Sequence, residues 1–133
     1  MGPGNKKKIL FIEDDVSTIE VYKTALELAG FWVHTIARGE EAFRKIEELN
    51  ENPKDKPDLV LLDILLPDAN GLDILKRIRE LKNIKNLKVL ILSNYTSQEL
   101  EQKGLLLKTE KYLLKTDYVP SDLVKLLKKK LKC

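Results

Sequence analysis

Leu59-Val60-Leu61-Leu62-Asp63 places a carboxylate directly after four consecutive aliphatic residues. An apolar run without polar alternation is typical of a strand that is buried on both faces, as in a parallel sheet covered by helices. Pro67, Asn70 and Gly71 follow and predict a loop. In an open parallel sheet, ligands bind beyond the carboxyl ends of the strands. We therefore expect Asp63 at a binding site rather than in the core.

Four more apolar runs predict strands, and apolar residues at helical spacing lie between them. The predicted strands are residues 9–12 before Glu13, 31–36, 89–92 before Ser93, and 112–114 before Lys115. Capping signals predict helix starts at Ser17, Thr96 and Ser121, and Gly30 predicts the end of the first helix. The alternation predicts one α/β domain, with a doubly wound, five-stranded parallel sheet and helices on both faces.

The composition limits the class of protein. The chain has 133 residues, of which 43% are hydrophobic and 34% charged, as in a single globular domain rather than a disordered or membrane protein. No secretory signal is expected, and the single cysteine, Cys133, suits a cytoplasmic location. The net charge is +3, with lysines crowded into the last predicted helix. We expect a solvated helix face there, with neither direct nucleic-acid binding nor a membrane contact.

The polar residues at the strand ends form one candidate site. Parallel strands place Glu13, Asp14, Asp63, Ser93 and Lys115 at the same edge of the sheet. Carboxylates a few ångströms apart repel each other by about 1 kcal/mol per pair in water and by several at a dielectric near 20. A hard cation such as Mg²⁺ or Mn²⁺ is therefore expected among them, rather than zinc. An acid, a metal, an ammonium and a hydroxyl together suit a phosphoryl group.

Asp63 is the candidate covalent nucleophile of this site. A carboxylate can form an aspartyl-phosphate, which splits a phosphoryl transfer into two steps. Asp63 ends the central apolar strand, whereas Glu13 and Asp14 are adjacent to each other and better placed to hold a metal.

These motifs resemble the response-regulator receiver domains of two-component signalling, from Lys8 to Leu131. Ile12-Glu13-Asp14-Asp15 is similar to the family's acidic pair after the first strand. The segment from Leu61 to Gly71, Leu-Leu-Asp-Ile-Leu-Leu-Pro-Asp-Ala-Asn-Gly, resembles its phosphoacceptor segment, with Asp63 as the acceptor. Three further positions match: Ser93 the switch hydroxyl, Tyr112 the switch aromatic, and Lys115 the lysine after the fifth strand.

The resemblance implies a role for each matching residue. Asp14, Asp63 and the backbone carbonyl of Leu65 are expected to bind Mg²⁺, with Glu13 acting through a coordinated water. Asp63 is expected to receive the phosphoryl group from a histidine kinase or phosphotransfer protein. The residues expected to respond are Lys115 and Ser93, which contact phosphoryl oxygens, and Tyr112, which rotates inward.

The resemblance also implies the setting. The expected fold is flavodoxin-like and similar to chemotaxis regulators, (βα)5 with strand order 2-1-3-4-5, and residues 8–133 form the receiver domain after a flexible tail at 1–7. The face made by the fourth helix, fifth strand and fifth helix is expected to control a downstream protein partner, and a phosphorylation-dependent homodimer is one expected form of output. The domain is expected to be cytoplasmic and not an enzyme, beyond assisting its own aspartate's phosphorylation and dephosphorylation.

Departures from the family pattern keep two other functions open. Thr116 replaces the usual proline, which argues against a cis peptide after Lys115, and Leu105, Leu106 and Leu107 stand where small residues are usual. A constitutive interaction module with impaired switching is therefore the first alternative. A Mg²⁺-dependent phosphohydrolase is the second, although Leu65 stands where such an enzyme needs a second acid.

Overall fold

A computed structural model describes residues 6–104 and 111–132 as five strands and five α-helices. The strands are β1 (Lys8–Ile12), β2 (Trp32–Ile36), β3 (Leu59–Leu62), β4 (Val89–Ser93) and β5 (Lys111–Leu114). The helices are α1 (Val16–Leu28), α2 (Gly39–Glu51), α3 (Gly71–Glu80), α4 (Ser97–Gln102) and α5 (Pro120–Leu131). All strand pairs are parallel, in the order β2-β1-β3-β4-β5. The predicted fold class and strand order are confirmed.

Each face of the sheet has its own hydrophobic core. On β1, Leu10 and Ile12 pack on the side of α2 and α3, whereas Ile9 and Phe11 pack on the side of α1 and α5. The side chains of β3 alternate between the two cores in the same way, and all four are buried. Burial on both faces therefore explains why Leu59–Leu62 shows no polar alternation.

Two of the predicted helix caps are wrong. Helix α1 starts ahead of Ser17, because Asp15 is the N-cap and its Oδ2 accepts a hydrogen bond of 2.9 Å from the Thr18 amide. Helix α5 starts at Pro120 without a side-chain cap, because proline already has the φ angle of a first helical turn. Ser121 consequently lies inside the helix.

The loop that follows β3 is attached to the start of α2. Asp68 Oδ1 accepts a hydrogen bond of 2.7 Å from the Gly39 amide, and its Oδ2 accepts one of 3.0 Å from the Glu40 amide. The N-cap residue of α2, Arg38, provides no side-chain hydrogen bond of its own. Asp68 therefore satisfies amides that the helix leaves open, and its negative charge is favourable at a helix N-terminus.

Gly71 brings α3 against the end of β3. A Cβ atom at this position would lie 2.3 Å from the carbonyl oxygen of Asp63 and 2.7 Å from Ile64 Cα. Both neighbours are backbone atoms, so they cannot move aside as a flexible side chain could. The predicted helix-start role of Gly71 is confirmed, with close approach of the backbones as its reason.

Three predictions fall on residues 1–5, 105–110 and 133, which the structure leaves undescribed. They concern the N-terminal tail, the leucines at 105–107 and the thiol of Cys133. The division into a tail at 1–7 and a domain at 8–133 therefore stays a prediction. Within the described residues, no helix combines the length and the apolar character needed to cross a membrane.

Gly71→Ala is expected to destabilise the fold by about 2 kcal/mol or more, because the added methyl overlaps backbone atoms. Gly39→Ala is the matched control, because there the added Cβ meets the Ala69 Cβ at 2.3 Å. Adding Ala69→Gly should restore part of the stability lost in Gly39→Ala and none of that lost in Gly71→Ala. Urea denaturation measures all four variants, and an unchanged midpoint for Gly71→Ala would contradict the explanation.

Candidate functional site

The strand ends bring the predicted acids together. Main-chain pairing continues one residue beyond the strands, since the Asp63 amide donates to the Ile12 carbonyl and the Glu13 amide to the Ile36 carbonyl, both at 2.9 Å. These bonds fix the two acids side by side. Carboxylate oxygens of Glu13, Asp14 and Asp63 all lie within 4.8 Å of one another. The predicted acidic cluster is present, with Glu13 and Asp63 buried and Asp14 exposed.

Lys115 is the cation that faces these acids. Its Nζ lies 2.7 Å from Glu13 Oε1 and 3.7 Å from Asp63 Oδ2, so one ammonium contacts two carboxylates. Burial by itself lowers the pKa of Lys115, but its donation to the Glu13 carboxylate and the negative charges of Asp63 and Glu13 outweigh burial and raise the pKa above its ordinary value. Lys115 therefore remains protonated at neutral pH.

Asp63 is the acid most strongly affected by its surroundings. Burial, followed by the negative charge of Glu13, raises its pKa to about 7, although the charge of Lys115 acts in the opposite direction. Its Oδ1 accepts a long hydrogen bond of 3.4 Å from the Leu65 amide. One lysine does not neutralise three acids, so the cluster favours additional positive charge.

Glu13 has acceptor capacity to spare for such a charge. The residue is only 1% exposed, and its Oε2 accepts from the Asp15 amide at 3.1 Å. Its Oε1 makes the ion pair with Lys115 but, in the described part of the chain, receives no hydrogen bond of good geometry. A buried oxygen of this kind suits a coordinated water or a cation, and an all-oxygen donor set fits Mg²⁺ or Mn²⁺.

Ser93 ends β4 at the same edge of the sheet. It is opposite Leu114 in the strand pairing, immediately before Lys115. Its side chain is buried, and its Oγ accepts a hydrogen bond of 2.9 Å from the Tyr95 amide. The hydroxyl proton is therefore still available to a ligand. The predicted capping box of Thr96 with Glu99 is confirmed and starts α4 just beyond.

Tyr112 lies away from the acids, within β5. It is opposite Ile91 and packs, half-buried, against the core on the α2 and α3 side of the sheet. The two residues predicted to switch therefore lie at different levels of the sheet. Ser93 is level with Leu114 at the edge, and Tyr112 is two residues before Leu114 along β5.

Tyr22 is a supporting residue that the sequence reasoning missed. Its hydroxyl donates a hydrogen bond of 2.6 Å to the Tyr118 carbonyl and lies 3.5 Å from the Lys115 carbonyl, while its ring packs edge-on against Phe11. The turn after Lys115 is thereby fixed to α1. No peptide bond in the described chain is cis, as expected from Thr116. The apolar spacing of α1 identified Tyr22 as a core residue, but its phenol was the signal that a polar partner was required.

Comparisons with known proteins agree with this geometry. The family profile described as "Response regulator receiver domain" matches residues 9–128. The "Transcriptional regulatory protein CpxR homolog" of Haemophilus influenzae is 44% identical over 77 residues, which are 58% of this chain and 31% of that protein. The chain spans less than half the length of the first curated relatives it matches.

Solved structures match over almost the whole chain. A CheY-like response regulator receiver domain protein from Methanospirillum hungatei has a TM-score of 0.76 and 30% identity, covering 96% of this chain and 95% of the other. The chemotaxis protein CheY4 of Vibrio cholerae has a TM-score of 0.75 and 28% identity, covering 93% and 98%.

Asp63→Asn is expected to stabilise the metal-free fold at pH 8 by on the order of 1–3 kcal/mol. The pKa of Asp63 is raised in the folded state, so its stabilising contribution is present at low pH and lost as the pH rises through about 7. The difference between the variant and the wild type should therefore vanish near pH 4. Thermal denaturation in the presence of a chelator measures it at both pH values.

Asp68→Asn is the matched control, and it should behave in the opposite way. Hydrogen bonds from the Gly39 and Glu40 amides lower the pKa of Asp68, so this acid stabilises the fold at neutral pH and the effect is lost on acidification. The asparagine variant should be less stable than the wild type at pH 8. Equal effects of both substitutions on stability would contradict the conclusion that the fold raises the pKa of Asp63.

Proposed function

The chain belongs to the response regulator receiver domains, a family of signalling domains, and on that premise we propose that Asp63 accepts a phosphoryl group from a histidine kinase or phosphotransfer protein. The observation that supports this is the meeting of Glu13, Asp14 and Asp63 with Lys115 at one edge of the sheet. Such a site can carry an acid–phosphate bond and balance its charge.

Asp63 is better suited to nucleophilic attack than its neighbour Glu13. Glu13 is held by Lys115 at 2.7 Å and by the Asp15 amide, both of which reduce its nucleophilic character. In the described chain, Asp63 lies 3.4 Å from the Leu65 amide and 3.7 Å from Lys115 Nζ, a longer distance to the lysine than that of Glu13, and it retains 8% exposure at the mouth of the site. Its oxygen can therefore approach an incoming phosphorus atom at little cost in broken hydrogen bonds.

Mg²⁺ is the cofactor that we propose for this reaction. Asp14, Asp63 and the Leu65 carbonyl would bind it, and the spare acceptor capacity of Glu13 fits a coordinated water. When bound, the ion supplies positive charge to the carboxylates and to the phosphoryl oxygens.

The transfer itself is a substitution at phosphorus. An Asp63 carboxylate oxygen forms the new O–P bond as the N–P bond of the donor phosphohistidine breaks, and the imidazole leaves with the electron pair. Lys115 Nζ, already between Glu13 and Asp63, then pairs with a phosphoryl oxygen. The Ser93 hydroxyl donates to another phosphoryl oxygen. Both groups stabilise the phosphorylated state, because they make contacts with the phosphoryl oxygens that the free carboxylate cannot offer.

Output follows from the movement of Ser93 and Tyr112. A hydroxyl drawn toward the phosphoryl group shifts the start of α4, and the half-buried Tyr112 fills the space that this opens. The face of α4, β5 and α5 would then favour one of two conformations, which a downstream protein or a second copy of the chain selects. We propose a cytoplasmic domain that assists chemistry on its own aspartate and turns over no other substrate.

The two alternatives from the sequence are not favoured. The matched family consists of signalling domains, which supports neither a phosphohydrolase nor a module without switching. The residue two positions after Asp63 is Leu65, whose side chain is exposed and cannot act as an acid.

Incubation with Mg²⁺ and phosphoramidate is expected to add one phosphoryl group per chain, as measured by intact-protein mass spectrometry. Asp63→Asn should give no adduct, because the amide is not a nucleophile, and EDTA should suppress the reaction in the wild type. Asp68→Asn is the matched control in the same loop and should be phosphorylated normally. An adduct of equal yield on Asp63→Asn would refute the assignment of the acceptor.

Leu65→Asn combined with Tyr95→Asn is expected to shorten the lifetime of the phosphorylated state several-fold. The side chain of Leu65 is exposed beside Asp63, and Tyr95 is half-buried after Ser93 with Lys103 Nζ 5.0 Å from its ring centre. Both shield the site from water. Loss of the phosphoryl mass over time measures the rate, and Val21→Asn with Leu28→Asn, at exposed positions on α1, is the control. An unchanged lifetime in the Leu65 and Tyr95 variant would exclude such shielding.

A further inference from the structure

The edge of the sheet opposite the acids contains a hollow in which half of the lining residues are lysines. Its volume is about 560 Å³, and it lies where β1, β3 and β4 begin and α5 ends. Four separate segments contribute the cations, which are Lys7, Lys56, Lys82, Lys85, Lys88, Lys130 and Lys132. Segments so distant in sequence meet only in the folded chain, so the clustering is a property of the fold rather than of a local lysine run.

The positive charge of this hollow is not compensated by neighbouring acids. Among residues 6–104 and 111–132, none of the seven lysines forms an ion pair with a carboxylate. Asp58 is the one acid in the lining, and its Oδ2 accepts a 2.7 Å hydrogen bond from the Lys8 amide. Lys88 Nζ donates to the Lys130 carbonyl at 3.2 Å, which fixes one ammonium without neutralising it. Several like charges around one hollow favour an anion between them.

Two adjoining hollows extend the same positive surface. One, of about 350 Å³, shares Lys88 and Lys130 with the first and adds Lys111. The other, of about 420 Å³, shares Lys7 and Lys56 and adds further lysines of the N-terminal segment. The modest net charge of +3 therefore hides a strong separation, with acids at one edge of the sheet and lysines at the other.

The shape and the residue types indicate the class of ligand. A recess of about 560 Å³ has the size of a small-molecule site rather than of a flat docking face. The described residues of its lining include no aromatic ring on which a base could stack and no arginine fork for reading a base edge. Lysines act as mobile point charges, which suit closely spaced phosphate groups. Asn83 and Asn86 add amide donors.

We propose that this lysine hollow binds a compact anion that carries several adjacent phosphate groups. The anion could be a linear condensed phosphate or a polyphosphorylated small molecule, which share the same chemistry. The inference is independent of the reaction at Asp63, because it involves the opposite edge of the sheet. The expected solvated helix face is retained for Lys125 and the other lysines of α5 that do not line the hollow.

Isothermal titration calorimetry with the full chain tests the proposal, with inorganic tripolyphosphate in one arm and inositol hexakisphosphate in the other. EDTA is present so that no metal complex forms at the acidic edge. One ion per chain should bind saturably, with an affinity that falls as salt is added, because the lysines are partly exposed. The arm with the tighter binding identifies whether the linear or the cyclic arrangement of phosphates fits.

The variant Lys56→Gln, Lys85→Gln, Lys132→Gln removes one charge from each of three segments and should weaken binding by about tenfold or more. The control Lys23→Gln, Lys76→Gln, Lys125→Gln has the same net charge but none of its positions lines the hollow, so its affinity should stay close to that of the wild type. Tripolyphosphate should also raise the melting temperature of the wild type and of the control, and raise that of the hollow variant less.

Three results would overturn the proposal. The first is no saturable binding of either anion, and the second is an equal loss in both variants, which would reflect net charge alone. The third is effective competition by a DNA duplex at the same phosphate concentration, which would identify a nucleic-acid surface. If the hollow variant does not fold, NMR shifts of the wild type decide: changes confined to the hollow support the proposal, and changes at the acidic edge contradict it.

Discussion

Burial of Glu13 beside Asp63 is the constraint on which the site depends. Two carboxylates in a dry environment repel each other, and Lys115 is the one nearby cation in the described chain that makes the arrangement tolerable. The lysine can only reach both acids because β5 ends next to β4 and the following turn is tied to α1 through Tyr22. The strand order therefore determines which charges meet at the site, because it places Lys115 next to Glu13 and Asp63.

The loop after Asp63 is held at two places, by a close backbone approach at Gly71 and by the side chain of Asp68. Gly71 lets the start of α3 touch the carbonyl of Asp63, and Asp68 holds the loop to the first amides of α2. Neither contact involves the acceptor carboxylate itself. The backbone around Asp63 is thus fixed without using its carboxylate oxygens, which stay available for the proposed reaction.

The fold and the acidic cluster could be predicted from sequence because both follow from local patterns. Unbroken apolar runs indicate strands buried on both faces, and parallel strands necessarily bring Asp63, Glu13 and Lys115 to one edge. Tyr22 and Asp68 could not be assigned in this way, because their partners lie 96 and 29 residues away. The first helix was predicted to start at Ser17 for a different reason: Asp15 and Ser17 offer equally local capping signals, and sequence alone does not decide between such competitors.

The acidic cluster and the lysine hollow lie at opposite edges of the sheet, so the local electrostatic potential differs in sign between these two places. A charged partner therefore exerts a torque on the domain before any contact forms, and it turns the acidic edge toward a positive surface. The proposed phosphorylation of Asp63 would add negative charge at the acidic edge and so increase this difference in potential. The proposed phosphorylation would therefore also strengthen the electrostatic steering that orients the domain relative to a charged partner.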